Sequence, residues 1–460
     1  MATRESATNP FLQGNFAPWR MEGDAFDLEV TGEIPHGLEG TYYCNGPNPA
    51  YEPLGRYHWF DGDGMVHAVR LEGGRASYRN RWVWGRGLAE ERAAGRSLHP
   101  GLLDLGGTET FSFKNTANTN VVWHGGKLLA LVEATVPTEL RADTLETVGE
   151  YDFGGRLSGP MTAHPKMDLA TGEMLFFGYS PFPPYLQFHV ADAAGRLVRS
   201  EPIDVAWPSM MHDFAVTERY VLFLLCPVVF SFDDVAARGG AFSWEPERGM
   251  RIGVMPRSGG DVRWLATDPC FVFHPLNAYE DGDAIVLDAV RWTSGRFVVR
   301  HAGSGGPQED EDRAVLHRWR LDLASGTVRG DALDDAECEF PRVDDRLIGR
   351  RHRFGWVASR ARDDDGVRPF FTAIRRYDLE RGDSELREFG AGHGVREPIF
   401  VPRSSAAGEG DGYALVLVYD PERNTSDFWI LDAARISGEP VARIHLPHRV
   451  PYGFHGNWVA

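Results

Sequence analysis

Short runs of alternating or wholly apolar residues recur along the chain, and long helical periodicities are scarce. Residues 78–83, 127–132, 174–177, 220–225, 284–290, 414–418 and 428–431 are the clearest. Runs of this kind predict strands. Between them a turn returns in degenerate form. It reads Leu71-Glu72-Gly73-Gly74, Asp168-Leu169-Ala170-Thr171-Gly172 and Asp192-Ala193-Ala194-Gly195, then Asp322-Leu323-Ala324-Ser325-Gly326 and Asp378-Leu379-Glu380-Arg381-Gly382. An aspartate opens most of these turns, and a glycine takes the position where φ is positive.

A hairpin repeated over the whole length predicts repeated four-stranded units, hence an all-β propeller. With blades of about 50 to 65 residues, somewhat longer than the common repeat, seven fit the chain. Residues 303–313 form a loop by composition, but strand signals of one type continue on both sides. Residues 1–460 therefore read as one domain. The stretch 87–97, with Ala-Glu-Glu-Arg-Ala-Ala at its centre, is the best helix candidate and is expected above the propeller.

Charge narrows the partners. The 48 basic and 66 acidic residues among 460 leave a net charge of −18, which repels nucleic acid and disfavours a DNA or RNA partner. The acidic runs 308–312 and 363–365 read as solvated loops, since neither has the EF-hand ligand spacing. Cys44, Cys226, Cys270 and Cys338 are scattered in apolar or strand-like settings, which suits reduced thiols in a cytoplasmic protein. Residues 1–13 are polar and show no signal core. The longest apolar run, 220–230, is broken by Pro227, is too short to cross a bilayer and reads as a buried strand.

Four of the 16 histidines stand in settings that the others do not share. They are His164 in Met-Thr-Ala-His-Pro, His212 in Met-Met-His-Asp-Phe, His274 in Val-Phe-His-Pro-Leu-Asn and His455 in Tyr-Gly-Phe-His-Gly-Asn-Trp. An imidazole among apolar residues needs a partner, and a metal that collects all four would supply it. Taken singly, each is more simply a core histidine bonded to a backbone carbonyl. Their spacing resembles no short zinc motif. His352 and His448, flanked by arginine, are expected in a cationic, solvated setting. Propellers carry chemistry on the axis, where inner strands from distant parts of the chain converge, and that would remove any need for a short spacing.

Further motifs carry a resemblance that spans nearly the whole chain. They include residues 9–18, Asn45-Gly46-Pro47-Asn48-Pro49, His58-Trp59-Phe60-Asp61-Gly62-Asp63-Gly64-Met65-Val66-His67 and Asn115-Thr116-Ala117-Asn118-Thr119. Thr162-Ala163-His164-Pro165-Lys166, His212-Asp213-Phe214, Glu339-Phe340-Pro341-Arg342, Glu397-Pro398-Ile399-Phe400 and Phe454-His455-Gly456 follow in order. In these the chain resembles the carotenoid cleavage oxygenase family. The resemblance implies a seven-bladed β-propeller with a helical and loop cap. It implies one Fe(II) per chain held by His164, His212, His274 and His455, with O₂ as co-substrate. It also implies three glutamates behind the ligands, pairing Glu133 with His212, Glu339 with His274 and Glu397 with His455. His164 is left without one. Each carboxylate would accept an imidazole N–H and fix the tautomer. Read without the resemblance, all three are ordinary salt-bridge or surface residues. Thr119 matches a threonine that the family places near an open iron position, although a hydrogen-bonded strand threonine reads nearly as well. Asp61-Gly62-Asp63-Gly64 lacks the P-loop lysine and reads as a tight structural turn. No Gly-x-Ser-x-Gly elbow is present, which disfavours an α/β serine hydrolase.

The implied reaction is cleavage of a C=C bond by O₂ into two carbonyl products. The implied substrate is a small apolar alkene, and a peripheral membrane contact would serve its uptake. Members that cleave phenolic stilbenes and phenylpropenoids carry a lysine directly before the first of the three glutamates. Here that position is Val132, which suits a carotenoid or apocarotenoid better. Cleavage of vinylphenol, isoeugenol or lignostilbene is the alternative. A propeller that binds partners and does no chemistry is the alternative of another class.

Overall fold

The runs read as strands lie, to within one residue, in Arg75–Trp82, Lys127–Leu131, Glu173–Tyr179, Tyr220–Leu225, Ala284–Trp292, Gly412–Asp420 and Thr425–Asp432. The computed structural model describes residues 9–55, 57–101, 114–133, 135–231, 233, 241–296, 298, 312–361 and 371–460. The repeated turn is built as expected. Gly172, Gly326 and Gly382 have φ of 73°, 77° and 70°. Their amides close back on the carbonyls of Asp168, Asp322 and Asp378 at 2.7 to 2.9 Å.

The strands form antiparallel sheets that group into seven blades. Blade 1 is Asn120–His124, Lys127–Leu131, Thr138–Leu140 and Thr147–Glu150, from the inside outward. Blade 2 starts at Lys166–Asp168 and blade 3 at Phe214–Val216. Blade 4 starts at Pro275–Asp281 and ends on the long strand Thr327–Arg342. The first part of that strand pairs with Ala314–Asp322. From Cys338 onward it pairs with Phe354–Ser359, becoming the inner strand of blade 5. Blade 6 begins with Ile399–Pro402 and gains its outermost strand, Val30–Gly32, from the opposite end of the chain. In blade 7 the last strand, Gly456–Val459, lies inside Gly40–Pro47. The two ends of the chain thus share two blades and close the ring.

Apolar faces of neighbouring blades pack on each other. Phe177 and Phe188 of blade 2 meet Phe214 and Phe223 of blade 3, all fully buried. Tyr42 and Val69 of blade 7 meet Ile399, Leu415 and Phe428 of blade 6 in the same way. Truncating one such phenylalanine to alanine would cost about 3–5 kcal/mol.

The α-helix α1 (Arg86–Ala94) lies in the connection from blade 7 to blade 1, where a helix was expected. Glu91 of α1 and Asp63 are both buried against Lys114, which bridges them. That pins α1 to the Asp61-Gly62-Asp63-Gly64 turn. A Cβ on Gly64 would sit 2.3 Å from the Ala117 carbonyl oxygen, so this turn is structural, as read. The four cysteines are free and buried. Residues 308–311 and 363–365 lie outside the described residues, and so does the loop 303–313 up to residue 311. No described helix is long and apolar enough to cross a membrane.

Two histidines depart from expectation. The His352 side chain is fully buried, with Nε2 3.4 Å from Asp288 and Nδ1 3.2 Å from Asn277 Nδ2. His448 is half-buried and stacks on Trp19 with centroids 4.1 Å apart. Their arginine neighbours in sequence suggested solvent. The tertiary partners, a carboxylate and an indole face, are distant in sequence.

Candidate metal centre

The seven blades deliver seven candidate residues to one place. Thr119, His164, His212, His274 and His455 each stand one or two residues before the inner strand of blades 1, 2, 3, 4 and 7. Glu339 lies on the inner strand of blade 5, and Glu397 stands two residues before that of blade 6. Local sequence explains part of this placement. His164, His274 and Glu397 each precede a proline, and a residue before proline is pushed to extended backbone. Proline also lacks the N–H that an inner edge would leave unpaired. Glu339 is turned by a bulge between Glu339 and Arg342, where Phe340 has φ of 53°.

The four imidazoles face one another. One ring nitrogen from each of His164, His212, His274 and His455 lies within 4.8 Å of all the others. His164 Nε2 and His212 Nε2 are 3.0 Å apart. His274 Nε2 is buried and has no hydrogen-bond partner among the described residues. Three of the rings have their tautomer set from behind. His212 Nδ1–H donates to Glu133 Oε2 at 2.6 Å, His274 Nδ1–H to Glu339 Oε2 at 2.5 Å, and His455 Nδ1–H to Glu397 Oε1 at 3.0 Å. Each Nε2 therefore carries its lone pair inward. The lone pairs of these three rings, converging with the fourth imidazole, make a donor set that fits a metal of the imidazole-binding kind.

Electrostatics favour the neutral ring at His164 and His455 and the charged carboxylate at Glu339 and Glu397. Burial, with the neighbouring imidazoles adding to it, holds His164 well below the ordinary histidine value. Burial also takes His455 down to about 4, against the opposing pull of Glu397. Burial would raise Glu397, but His455, Arg342 and the Gly456 amide outweigh it and bring the carboxyl to about 2. Glu339 is lowered in the same way, against burial, by His274 and by the indole of Trp292. His274 moves up, since Glu339 outweighs its burial.

Four residues that the sequence reading gave no role complete the surroundings. Tyr179 Oη donates to Glu133 Oε1 at 2.8 Å, and Trp292 Nε1 donates to Glu339 Oε1 at 2.9 Å. Arg342 Nη1 donates to Glu397 Oε2 at 3.4 Å. His164, the ring without a glutamate, has Asp213 3.9 Å from its Nδ1, and Asp213 is itself paired with Lys166 at 2.8 Å. Asp213 and Arg342 stood inside recognised motifs, but nothing in the sequence marked Tyr179 or Trp292. Phe273 meets His212 edge-on at 5.1 Å, and Phe340 stacks on His274 at 5.5 Å, giving the cluster apolar walls. Val132 is buried beside Glu133. Thr119 is 9% exposed, and its hydroxyl donates to Asn118 Oδ1 at 3.0 Å.

Known proteins resemble this chain along nearly its full length. The family model described as RPE65, retinal pigment epithelial membrane protein, matches residues 16–460. The carotenoid cleavage oxygenase of Mycobacterium tuberculosis is 37% identical, covering 100% of this chain and 99% of its own. The isoeugenol monooxygenase of Pseudomonas nitroreducens is 35% identical, with 99% of each chain covered. Among solved structures, the lignostilbene dioxygenase of Pseudomonas brassicacearum superposes with a TM-score of 0.93 at 35% identity, over 98% of each chain. On these matches the chain belongs to the carotenoid cleavage oxygenase family and is an enzyme of that family of non-heme iron oxygenases.

Proposed function

We propose that His164, His212, His274 and His455 hold one Fe(II), and that the enzyme cleaves a C=C bond of a carotenoid or apocarotenoid with O₂ to give two carbonyl products. The convergence of four imidazoles, three of them backed by carboxylates, carries the metal reading. Bound Fe(II) would supply the electron-rich centre at which O₂ becomes reactive. The chain's own part is to bind, orient and exclude water. Glu133, Glu339 and Glu397 hold the Nδ1 protons, orient the rings and offset the metal's charge, which neutral imidazoles cannot do. Phe273 and Phe340 keep the surroundings apolar, so the alkene meets a dry site. Thr119 would stand beside the open side of the centre. Four nitrogen ligands leave positions for O₂ without a further cofactor.

Val132 supports the polyene over the phenol. It is buried next to Glu133 at the position where the phenol-cleaving members carry lysine. A polyene needs no polar anchor, since burial of its surface contributes about 25 cal/mol per Å². A second reading, cleavage of a phenolic alkene, is favoured by the isoeugenol monooxygenase and the lignostilbene dioxygenase, both 35% identical to this chain. The free thiols suit a cytoplasmic setting, and uptake of an apolar substrate suits a peripheral contact with membrane.

The deciding experiment incubates Fe(II)-loaded protein with an apocarotenal and with 4-hydroxystilbene and reads the products by mass. The expected result is two carbonyl fragments from the apocarotenal. Cleavage of the stilbene alone would overturn the polyene reading. A protein that takes up no iron would overturn the oxygenase reading.

A further inference from the structure

The three carboxylates behind the histidines are not held alike. Glu339 accepts the main-chain N–H of Phe340 at 2.6 Å as well as the indole of Trp292. Glu397 accepts the main-chain N–H of Gly456 at 3.0 Å as well as Arg342. Glu133 has no main-chain donor among the described residues. Besides His212, the only donor to it there is the Tyr179 hydroxyl, 2.8 Å from Oε1. Position explains the difference. Glu339 and Glu397 lie on or beside inner strands and serve the histidine of an adjacent blade. Glu133 follows the second strand of blade 1, Lys127–Leu131, and must reach past blade 2 to His212 of blade 3. Tyr179 ends the second strand of blade 2, Glu173–Tyr179, and stands on that path.

We infer that Tyr179 is a positioning residue of the metal centre: its hydroxyl fixes the Glu133 carboxylate, and through it the ring of His212. The inference rests on the metal reading above. Tyr179 remains a donor throughout the working pH range, because burial and the adjacent Glu133 both raise its phenol well above the ordinary value. Removing the hydroxyl would leave Glu133 held, among the described residues, by His212 alone, so the pair could swing together. Removing the Trp292 N–H would still leave Glu339 held by the Phe340 amide. The two arms therefore respond differently to loss of one donor.

The test is a titration of metal-free protein with Co(II), read by binding affinity and by the visible absorption of the bound metal. Tyr179→Phe is expected to weaken Co(II) binding roughly tenfold and to alter the spectrum, while Trp292→Phe has a smaller effect. In a Glu133→Gln background the same Tyr179→Phe change is expected to do little, because its effect runs through the carboxylate. Unchanged melting of metal-free Tyr179→Phe would set the effect apart from a loss of fold. Parent-like affinity and spectrum in Tyr179→Phe would overturn the inference. So would an equal loss in both backgrounds, which would make Tyr179 a packing residue only. A parent protein that binds no Co(II) would instead overturn the metal reading itself and take the inference with it.

Discussion

The main-chain carbonyl of Thr119 accepts the amide of His455 at 3.2 Å. One bond thus joins the residue that opens blade 1 to the residue that opens blade 7. His455 also presents its carbonyl to Asn45 at 2.9 Å. The candidate ligand nearest the C-terminus is therefore fixed from both flanks by its backbone, and the final strand Gly456–Val459 keeps those flanks in place. Deleting residues 456–460 removes this strand and the Gly456 donor to Glu397. The truncated protein is expected to melt several degrees below the parent and to bind no metal, as read by thermal unfolding and metal content. Parent-like melting would show that the ring closes without its last strand.

Replacing any one of His164, His212, His274 or His455 by alanine is expected to abolish turnover and to reduce iron well below one per chain. Elemental analysis and product assays on the four variants provide the check. Any variant that keeps full iron and full rate removes that residue from the site.

Glu133→Gln, Glu339→Gln and Glu397→Gln should each lower metal affinity or activity by roughly 10–100-fold while the fold survives. Glutamine still accepts a hydrogen bond but brings no charge. The largest loss is expected at Glu397, which makes contact with His455, Gly456 and Arg342. Three variants with parental iron content and rate would sink the pairing.

Val132→Lys places an ammonium at a buried position. It is expected to lower kcat/KM for an apocarotenal by roughly tenfold or more, since an unpaired buried charge is costly. The same change would offer a phenolic alkene a charge-assisted bond of roughly 1.5–3 kcal/mol. Steady-state rates with both substrates decide the matter. Efficient cleavage of isoeugenol or a vinylphenol by the parent, with no polyene turned over, would show that another group holds the phenol.

Acid should destabilise the protein through histidines outside the centre. His189, buried against Phe176, is taken down to about 4 by burial. Unfolded, it titrates near 6.5. Between these values the unfolded chain binds the proton and the folded one does not. Stability is therefore full above pH 6.5 and falls as pH drops toward 4, by about 3 kcal/mol for this residue. His317, also brought down to about 4, adds to the same loss. Thermal melts of metal-free parent and His189→Phe across pH 7 to 4 should show a shallower acid decline in the variant. Identical slopes would mean that His189 is protonated in the folded state.

The histidine quartet stood out in sequence by its apolar local settings, whereas the three glutamates were picked out only through the family resemblance. The strand runs were legible because their period reflects one buried face. Tyr179 and Trp292 were hidden because each meets its glutamate only across blades, 46 and 47 residues away. His352 was misread for the same reason: its sequence neighbours are arginines, while Asp288 reaches it from another strand. The strand Thr327–Arg342 gave no sequence signal. Its acidic stretch, with Asp331, Asp334, Asp335 and Glu337, has low strand propensity. Pairing of its first part with Ala314–Asp322 and of its end with Phe354–Ser359 overrides that preference.

That same strand has a dynamic consequence. Because blades 4 and 5 share it without a connecting loop, neither can open while the other stays closed. Elsewhere a hinge of several residues separates one sheet from the next, and each can fluctuate by itself. Amide exchange over Pro275–Asp281 through Asp383–Glu388 should therefore report one cooperative unit, slower to open than its neighbours. His274 and Glu339, the most tightly joined pair of the centre, both belong to that unit.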